Sequence, residues 1–159
     1  MNQHEQIIEE FYSGFAASNA ETMCSCYHPE IVFEDPVFGV LKGQDVKDMW
    51  EMLLKKSKGQ LKITFANVHA NGDKGFANWI AEYHFSSTQR LVVNKIHAEF
   101  EFKEGLIYRH KDSFDLYQWS KQAFGLKGVL LGWSMFFKNK IKKTALQSLR
   151  NYQSKKIEN

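Results

Sequence analysis

Phe33-Glu34-Asp35-Pro36 ends one short run on a proline turn, and Glu104-Gly105-Leu106-Ile107 opens a second run carrying His110, Asp112 and Phe114-Asp115-Leu116. Proline cannot donate into a sheet ladder, so a strand entering from Ile31 ends near Asp35 and leaves its carboxylate at the turn. In the second run His110 and Asp112 lie two residues apart, and side chains at i and i+2 of a strand share a face. Burying a carboxylate is costly unless it is paired. An imidazole and a carboxylate on one otherwise apolar face therefore predict a polar spot inside an apolar cavity.

The segments around these two runs alternate in a readable way. Ile7, Ile8, Phe11, Tyr12 and Phe15 recur at helical spacing with Glu9 and Glu10 off that face, which predicts an amphipathic helix. Ser18-Asn19 ends it and caps a second short helix running through Tyr27, which His28-Pro29 stops. Ile31 to Glu34 is a short strand. Gly43 leads into a third helix with Val46, Met49, Trp50, Leu53 and Leu54 on one side, and Lys55 to Gly59 reads as a solvated connection. Leu61, Ile63 and Phe65 then alternate with polar residues, and Asn71-Gly72 marks a hairpin. Ala77, Trp79, Ala81, Tyr83 and Phe85 share the face of another strand. Ile96, Ala98, Phe100 and Phe102 alternate with Lys95, His97, Glu99 and Glu101, and a last strand runs from Leu106 to about Leu116. Three helices followed by a meander of long antiparallel strands predict an α+β fold, with a curved sheet packed on the helices as a cone. The mouth of such a cone is a natural ligand pocket.

Composition sets outer bounds. The 159 residues are 43% hydrophobic and 14% aromatic with only two prolines, which suits one domain with a sizeable core. No run reaches the roughly 18 apolar residues of a membrane span. The N-terminal Met-Asn-Gln-His-Glu-Gln lacks the basic and apolar regions of a secretory leader, so a cytoplasmic location is expected. Cys24 and Cys26 are too close for an unstrained disulfide and are expected to be free buried thiols. No histidine pair has metal-ligand spacing with a nearby acid, so no metal and no other cofactor is expected.

The order helix, helix, strand, Asp-Pro, helix, meander resembles the nuclear-transport-factor-2-like superfamily, which includes ketosteroid isomerases, SnoaL-type polyketide cyclases and limonene epoxide hydrolase. The resemblance covers about residues 4–120. It implies a SnoaL-like domain over residues 1–120, a homodimer through the outer sheet face, and a small, largely apolar ligand in the cone. Phe33-Glu34-Asp35-Pro36 looks like the isomerase segment whose aspartate shuttles the proton, which implies a general base at Asp35. The isomerase oxyanion tyrosine falls near Phe11, with Tyr12 turned elsewhere on the helix, and its second aspartate falls near His97 or Ala98. The run from Glu104 through Asp112 to Leu116 looks like the terminal strand of the epoxide hydrolase, which implies a water-activating role for Asp112. The arginine and second aspartate of that enzyme fall on Trp79 and Ala81. SnoaL cyclases also carry an acid on this strand, so the broad label SnoaL-like fits best.

Asp35, Asp112 and His110 are thus the candidate catalytic residues, with Tyr12, Trp50, Trp79, Tyr83, Phe100 and Phe114 as candidate ligand-contacting residues. For each there is a structural alternative. Asp before Pro commonly binds local backbone, a His–Asp pair can be purely structural, and aromatics at these spacings are ordinary core. Asp115, on the opposite face, reads as an exterior cap or ion pair. The function expected is binding of that ligand with possible isomerase, cyclase or hydrolase chemistry, or else non-catalytic carriage of a lipid-like molecule.

Residues 121–159 form a basic extension. Residues 1–115 hold 12 Lys and Arg against 17 Asp and Glu, a net −5, whereas residues 116–159 hold 9 against 1, a net +8. Trp133, Phe137, Ile141, Ala145, Leu149 and Tyr152 make a stripe at a spacing of three to four residues, flanked by Phe136, Leu146, Lys138, Lys142, Lys143 and Arg150. This amphipathic helix is expected to pack on the acidic body or close the cone mouth. A weak contact of residues 125–159 with an anionic membrane surface is the alternative. No base-reading module is visible, so no nucleic-acid partner is expected.

Overall fold

Helix α1 (Gln3–Ala16) begins on Asn2, whose side chain accepts from the Glu5 N–H while the Glu5 carboxylate accepts from the Asn2 N–H. The computed structural model describes residues 1–159. The reciprocal cap satisfies two donors that a helix start otherwise leaves open. Ile8, Phe11, Tyr12 and Phe15 form the buried face, at the spacing the sequence predicts. Asn19 caps α2 (Ala20–Ser25). That helix stops at Ser25 rather than Tyr27, because Tyr27 already opens β1 (Tyr27–Asp35). Pro29 lies inside β1, where the register against its neighbour shifts between Tyr27 and Val32. An irregularity of this kind tolerates a residue without an N–H.

Past the proline turn the chain adds a strand that periodicity did not reveal, β2 (Gly39–Lys42), paired antiparallel with the end of β1. Helix α3 (Gln44–Ser57) runs beyond Leu54 through Lys55 and Lys56. Cations in a last helical turn are favoured by the exposed carbonyls there. The meander follows as β3 (Lys62–Asn71), β4 (Lys74–His84), β5 (Leu91–Lys103) and β6 (Leu106–Ser113), each antiparallel to the next. The sheet order is β2-β1-β6-β5-β4-β3, with β1 parallel to β6. The sheet is therefore mixed, and it does not close, since β2 and β3 are edges. Register shifts in β1/β6, β3/β4 and β5/β6 bend it. Ile96, Ala98, Phe100 and Phe102 of β5 face the core while Lys95, His97, Glu99 and Glu101 face solvent, as alternation predicts.

Strand β6 stops at Ser113 rather than Leu116, because the Asp115 carboxylate accepts from the Gln118 N–H and starts α4 (Leu116–Phe124). Short α5 (Leu126–Leu131) and long α6 (Met135–Glu158) complete the chain. Helix α6 lies against α3, and Leu149 is fully buried in the main core. Arg150 makes a two-pronged ion pair with Asp45 at 3.0 and 3.1 Å, and Lys156 bridges Asp48 and Glu51 at 3.1 and 3.2 Å. The Tyr152 hydroxyl, with Lys55 and Lys156, holds the Glu51 carboxyl down to about 2. The inner part of the α6 stripe thus packs on the acidic body, while Trp133 and Phe136 at its start remain 69% and 80% exposed.

Burial, not charge, holds α6 in place. Leu149→Ala is expected to cost about 2–5 kcal/mol in urea unfolding, and Arg150→Ala no more than about 1 kcal/mol because its ion pair is solvated. Equal losses from the two variants would contradict that ranking.

Candidate functional site

His110 and Asp112 stand side by side on the inner face of β6, 1% and 4% exposed. The Nε2 atom of His110 lies 3.0 Å from Asp112 Oδ1, and the same oxygen accepts from Trp79 Nε1 at 3.2 Å. On the other side of the ring, Nδ1 lies 2.7 Å from the Tyr27 hydroxyl, which accepts from Trp50 Nε1 at 2.9 Å. The two indoles can only donate and the carboxylate can only accept, so the network assigns its own protons. Trp50 donates to Tyr27, Tyr27 donates to Nδ1, and Nε2–H donates to Asp112. A neutral imidazole in the Nε2–H form satisfies every member. The line crosses four elements, α3, β1, β6 and β4, and is enclosed by aromatic rings. Phe11, Phe33 and Phe100 lie against His110 at centroid distances of 5.4, 5.1 and 4.6 Å.

Asp35 sits apart from that line, half-buried at the end of β1. Its Oδ1 accepts from the N–H groups of Val37 and Phe38 at 2.9 and 2.6 Å, which builds the proline turn. Burial pushes its carboxyl up to about 7, against the opposing pull of the Phe38 N–H, and the charge of Asp112 adds to the rise. Val37, Tyr83 and Phe114 pack against both hydrophobic clusters of the protein, the 27-residue main core and a five-residue cluster of Val92, Trp119, Ala123, Phe137 and Ile141. Asp35 therefore borders the seam between the two clusters. Burial pushes the Tyr83 hydroxyl up, the nearby charge of Asp35 adds to the rise, and the hydroxyl accepts from Trp119 Nε1 at 2.8 Å.

The predicted site residues divide accordingly. His110 and Asp112 meet each other, and Asp35 lies near Asp112 but shares no hydrogen bond with it. Tyr12, Trp50, Trp79 and Phe100 belong to the main core, and ring centroids 5.9–6.5 Å apart link Tyr12 to Trp79 and Phe100 and Trp50 to Trp79. At those separations the rings pack on one another. Tyr83 and Phe114 are partly buried at the seam beside Asp35. Tyr12 is turned into the same interior as Phe11, and its buried hydroxyl has no hydrogen-bond partner. Sequence reasoning misses Tyr27, which reads as the end of a helix. Cys24 and Cys26 are free thiols, and burial pushes Cys26 up to about 12, which leaves it protonated and inert at neutral pH. An open groove of about 520 Å³ lies on the outer sheet face, lined mainly by polar and charged residues that include Glu34, His97, Glu99, Arg109 and Lys111.

The SnoaL-like domain family matches residues 8–110, and the protein belongs to it. Similar solved structures include TerC co-crystallised with polyporic acid, at 16% identity over 77% of this chain and 98% of that one with a TM-score of 0.67. A putative isomerase from Bacillus subtilis is similar at 19% identity over 79% and 96%, TM-score 0.62. An LEH-like epoxide hydrolase of M. tuberculosis is similar at 18% identity over 80% and 92%, TM-score 0.60. At these identities the likeness is one of fold. No curated protein matches the chain in sequence. No helix is long and apolar enough to cross a membrane.

Two variants probe this geometry. Tyr27→Phe strands the Trp50 N–H and His110 Nδ1 in the core and is expected to destabilise by about 1–3 kcal/mol; an unchanged denaturation midpoint would refute the relay. Asp35→Asn keeps the Oδ1 acceptor of the turn but removes the titration. A carboxyl raised from 3.8 to about 7 on folding makes the wild type lose stability as pH rises through that interval. The thermal midpoint of Asp35→Asn relative to wild type is therefore expected to climb from pH 4 to pH 7 and then level off.

Proposed function

We propose that the seam beside Asp35 binds a small, largely apolar molecule and that Asp35 moves a proton on it, in a step of isomerase, cyclase or hydrolase type. The observation that carries this reading is the Asp35 carboxyl itself. One oxygen is fixed by two backbone N–H groups, and burial sets the group at about 7, where a carboxylate both accepts and returns a proton near neutral pH. The partly buried Val37, Tyr83 and Phe114 supply the apolar contact. Asp112 acts on the site through its charge, and His110, held by Tyr27, keeps Asp112 in place. In this role the two are positioning residues behind the base. The Tyr12 hydroxyl is an unspent donor near Asp112, which raises its pKa further above the level that burial sets. A polar atom of a ligand would relieve it. The solved relatives described as polyketide cyclases, an isomerase and an epoxide hydrolase fit a reading of this class.

The test is turnover of β,γ-unsaturated cyclic ketones, followed by the absorbance of the conjugated product, together with carboxyl-carbon NMR of Asp35. The NMR titration is expected near pH 7 and the rate to rise with pH through that value. Asp35→Asn is expected to lose about 10²-fold or more in rate. A carboxyl titrating near its ordinary value, or an Asp35→Asn variant as fast as wild type, would overturn the assignment. Ligand binding that survives Asp35→Asn, with no turnover by the wild type, would mark a carrier instead.

A further inference from the structure

The segment Leu126-Lys127-Gly128-Val129-Leu130-Leu131-Gly132-Trp133-Ser134-Met135-Phe136 is built inside out. Its small residues face the protein and its large apolar ones face solvent. Gly128 and Gly132 are buried, and a Cβ on Gly128 would collide with the Ser120 carbonyl of α4. Backbone thus packs on backbone, and no large side chain of α5 is used for docking. Leu126, Leu130, Trp133, Met135 and Phe136 are 73%, 59%, 69%, 69% and 80% exposed. Val129 and Leu131 are exposed as well.

This corner is held, not frayed. The Tyr117 hydroxyl donates to the Val129 carbonyl at 3.0 Å, and Trp133 Nε1 donates to the Leu130 carbonyl at 2.9 Å. The Ser134 N–H donates to the Leu131 carbonyl at 2.9 Å, and the Ser134 hydroxyl caps α6 by accepting from the Phe137 N–H. A soluble surface rarely presents so many large apolar side chains together unless something covers them.

Charge identifies the cover. Lys121, Lys127, Lys138 and Lys140 flank the corner, and no acid occurs from residue 116 to residue 157. The carboxylate pairs of the C-terminal segment are made by Arg150 and Lys156, on the far part of α6. A partner needed here is apolar within and anionic at its edge. We infer that the α4–α6 corner, residues 126–136, is a peripheral membrane-docking surface that inserts Leu126, Leu130, Trp133 and Phe136 among lipid chains while the flanking lysines meet anionic headgroups. Trp suits the depth of the headgroup region, and lysine stems reach across it. The combination of buried apolar area and attraction to anionic lipid is what binds interfacial segments. It moves the membrane contact from the α6 stripe, whose inner residues face the body, to the corner before it, and it is independent of the acid–base reading.

The experiment is sedimentation of the full chain with phosphatidylcholine vesicles, with or without about 30 mol% phosphatidylglycerol. Binding is expected to the anionic vesicles and to weaken strongly between about 50 and about 500 mM salt. Leu130→Asp with Phe136→Asp, both at exposed positions, is expected to weaken it at least ten-fold with an unchanged thermal midpoint. Lys127→Glu with Lys140→Glu tests the charge separately and is expected to cost about five-fold or more per site. Absence of pelleting at low salt, or binding by both variants equal to wild type, would overturn the inference. So would a dimer in analytical ultracentrifugation that the aspartate variant dissolves and anionic vesicles leave intact, since a second copy would then be the cover.

Discussion

A carboxylate and an imidazole sit in the middle of an aromatic core, and the surrounding structure answers that constraint. Asp112 must have donors, and Trp79 and His110 provide them. His110 must then have a donor for its second nitrogen, and Tyr27 provides it while taking the indole N–H of Trp50. Each solution fixes another element: β4 through Trp79, β1 through Tyr27, α3 through Trp50. Half-satisfied, such a line would be worse than an apolar core. Fully satisfied, it specifies one packing. The same carboxylate, through its charge, helps set the proton affinity of Asp35.

Much of this was legible in the sequence, wherever the signal was local. Strict alternation in Ile96 to Phe102 fixed the inner face of β5, and the two-residue spacing of His110 and Asp112 placed both on one side of β6. The Asp-Pro pair marked the turn that holds Asp35. What escaped were relations set by tertiary pairing. Tyr27 follows a capped helix and precedes His-Pro, so local rules assign it to a helix end, yet pairing with Ile107 draws it into a strand. Strand β2 is four residues long and too short to show a period. Trp79 has the periodicity of any core residue, and nothing near it in sequence reveals that its N–H is committed to Asp112. The stripe on α6 was visible, but its pattern could not distinguish Phe137, Ile141 and Leu149, which pack inward, from Trp133 at its start, which remains exposed.

The charge division along the chain has a structural counterpart. The acidic face of α3, with Asp45, Asp48 and Glu51, takes Arg150 and Lys156. These pairs set orientation more than strength, because their Arg150 and Lys156 ends are about half exposed. Leu149 supplies the strength. Lys121, Lys127, Lys138 and Lys140 flank the apolar corner in sequence, so the extension has two distinct surfaces, one turned to the body and one left to an outside partner.

The parallel pairing of β1 with β6 also imposes an order on folding. Residues 32–34 take as neighbours residues 109–111, so most of the chain must exist before this part of the sheet can form. Long-range strand pairing is slow because a large loop has to close before any contact rewards it. During synthesis, at about 5–20 residues per second, β1 therefore spends several seconds without its partner. Tyr27 and Phe33 are meanwhile kept from their final surroundings. The meander of β3 to β6 has no such wait, since each of its strands pairs with the next one made. The meander is thus the natural place for folding to begin, and the relay through His110 closes only when β1 docks beside it.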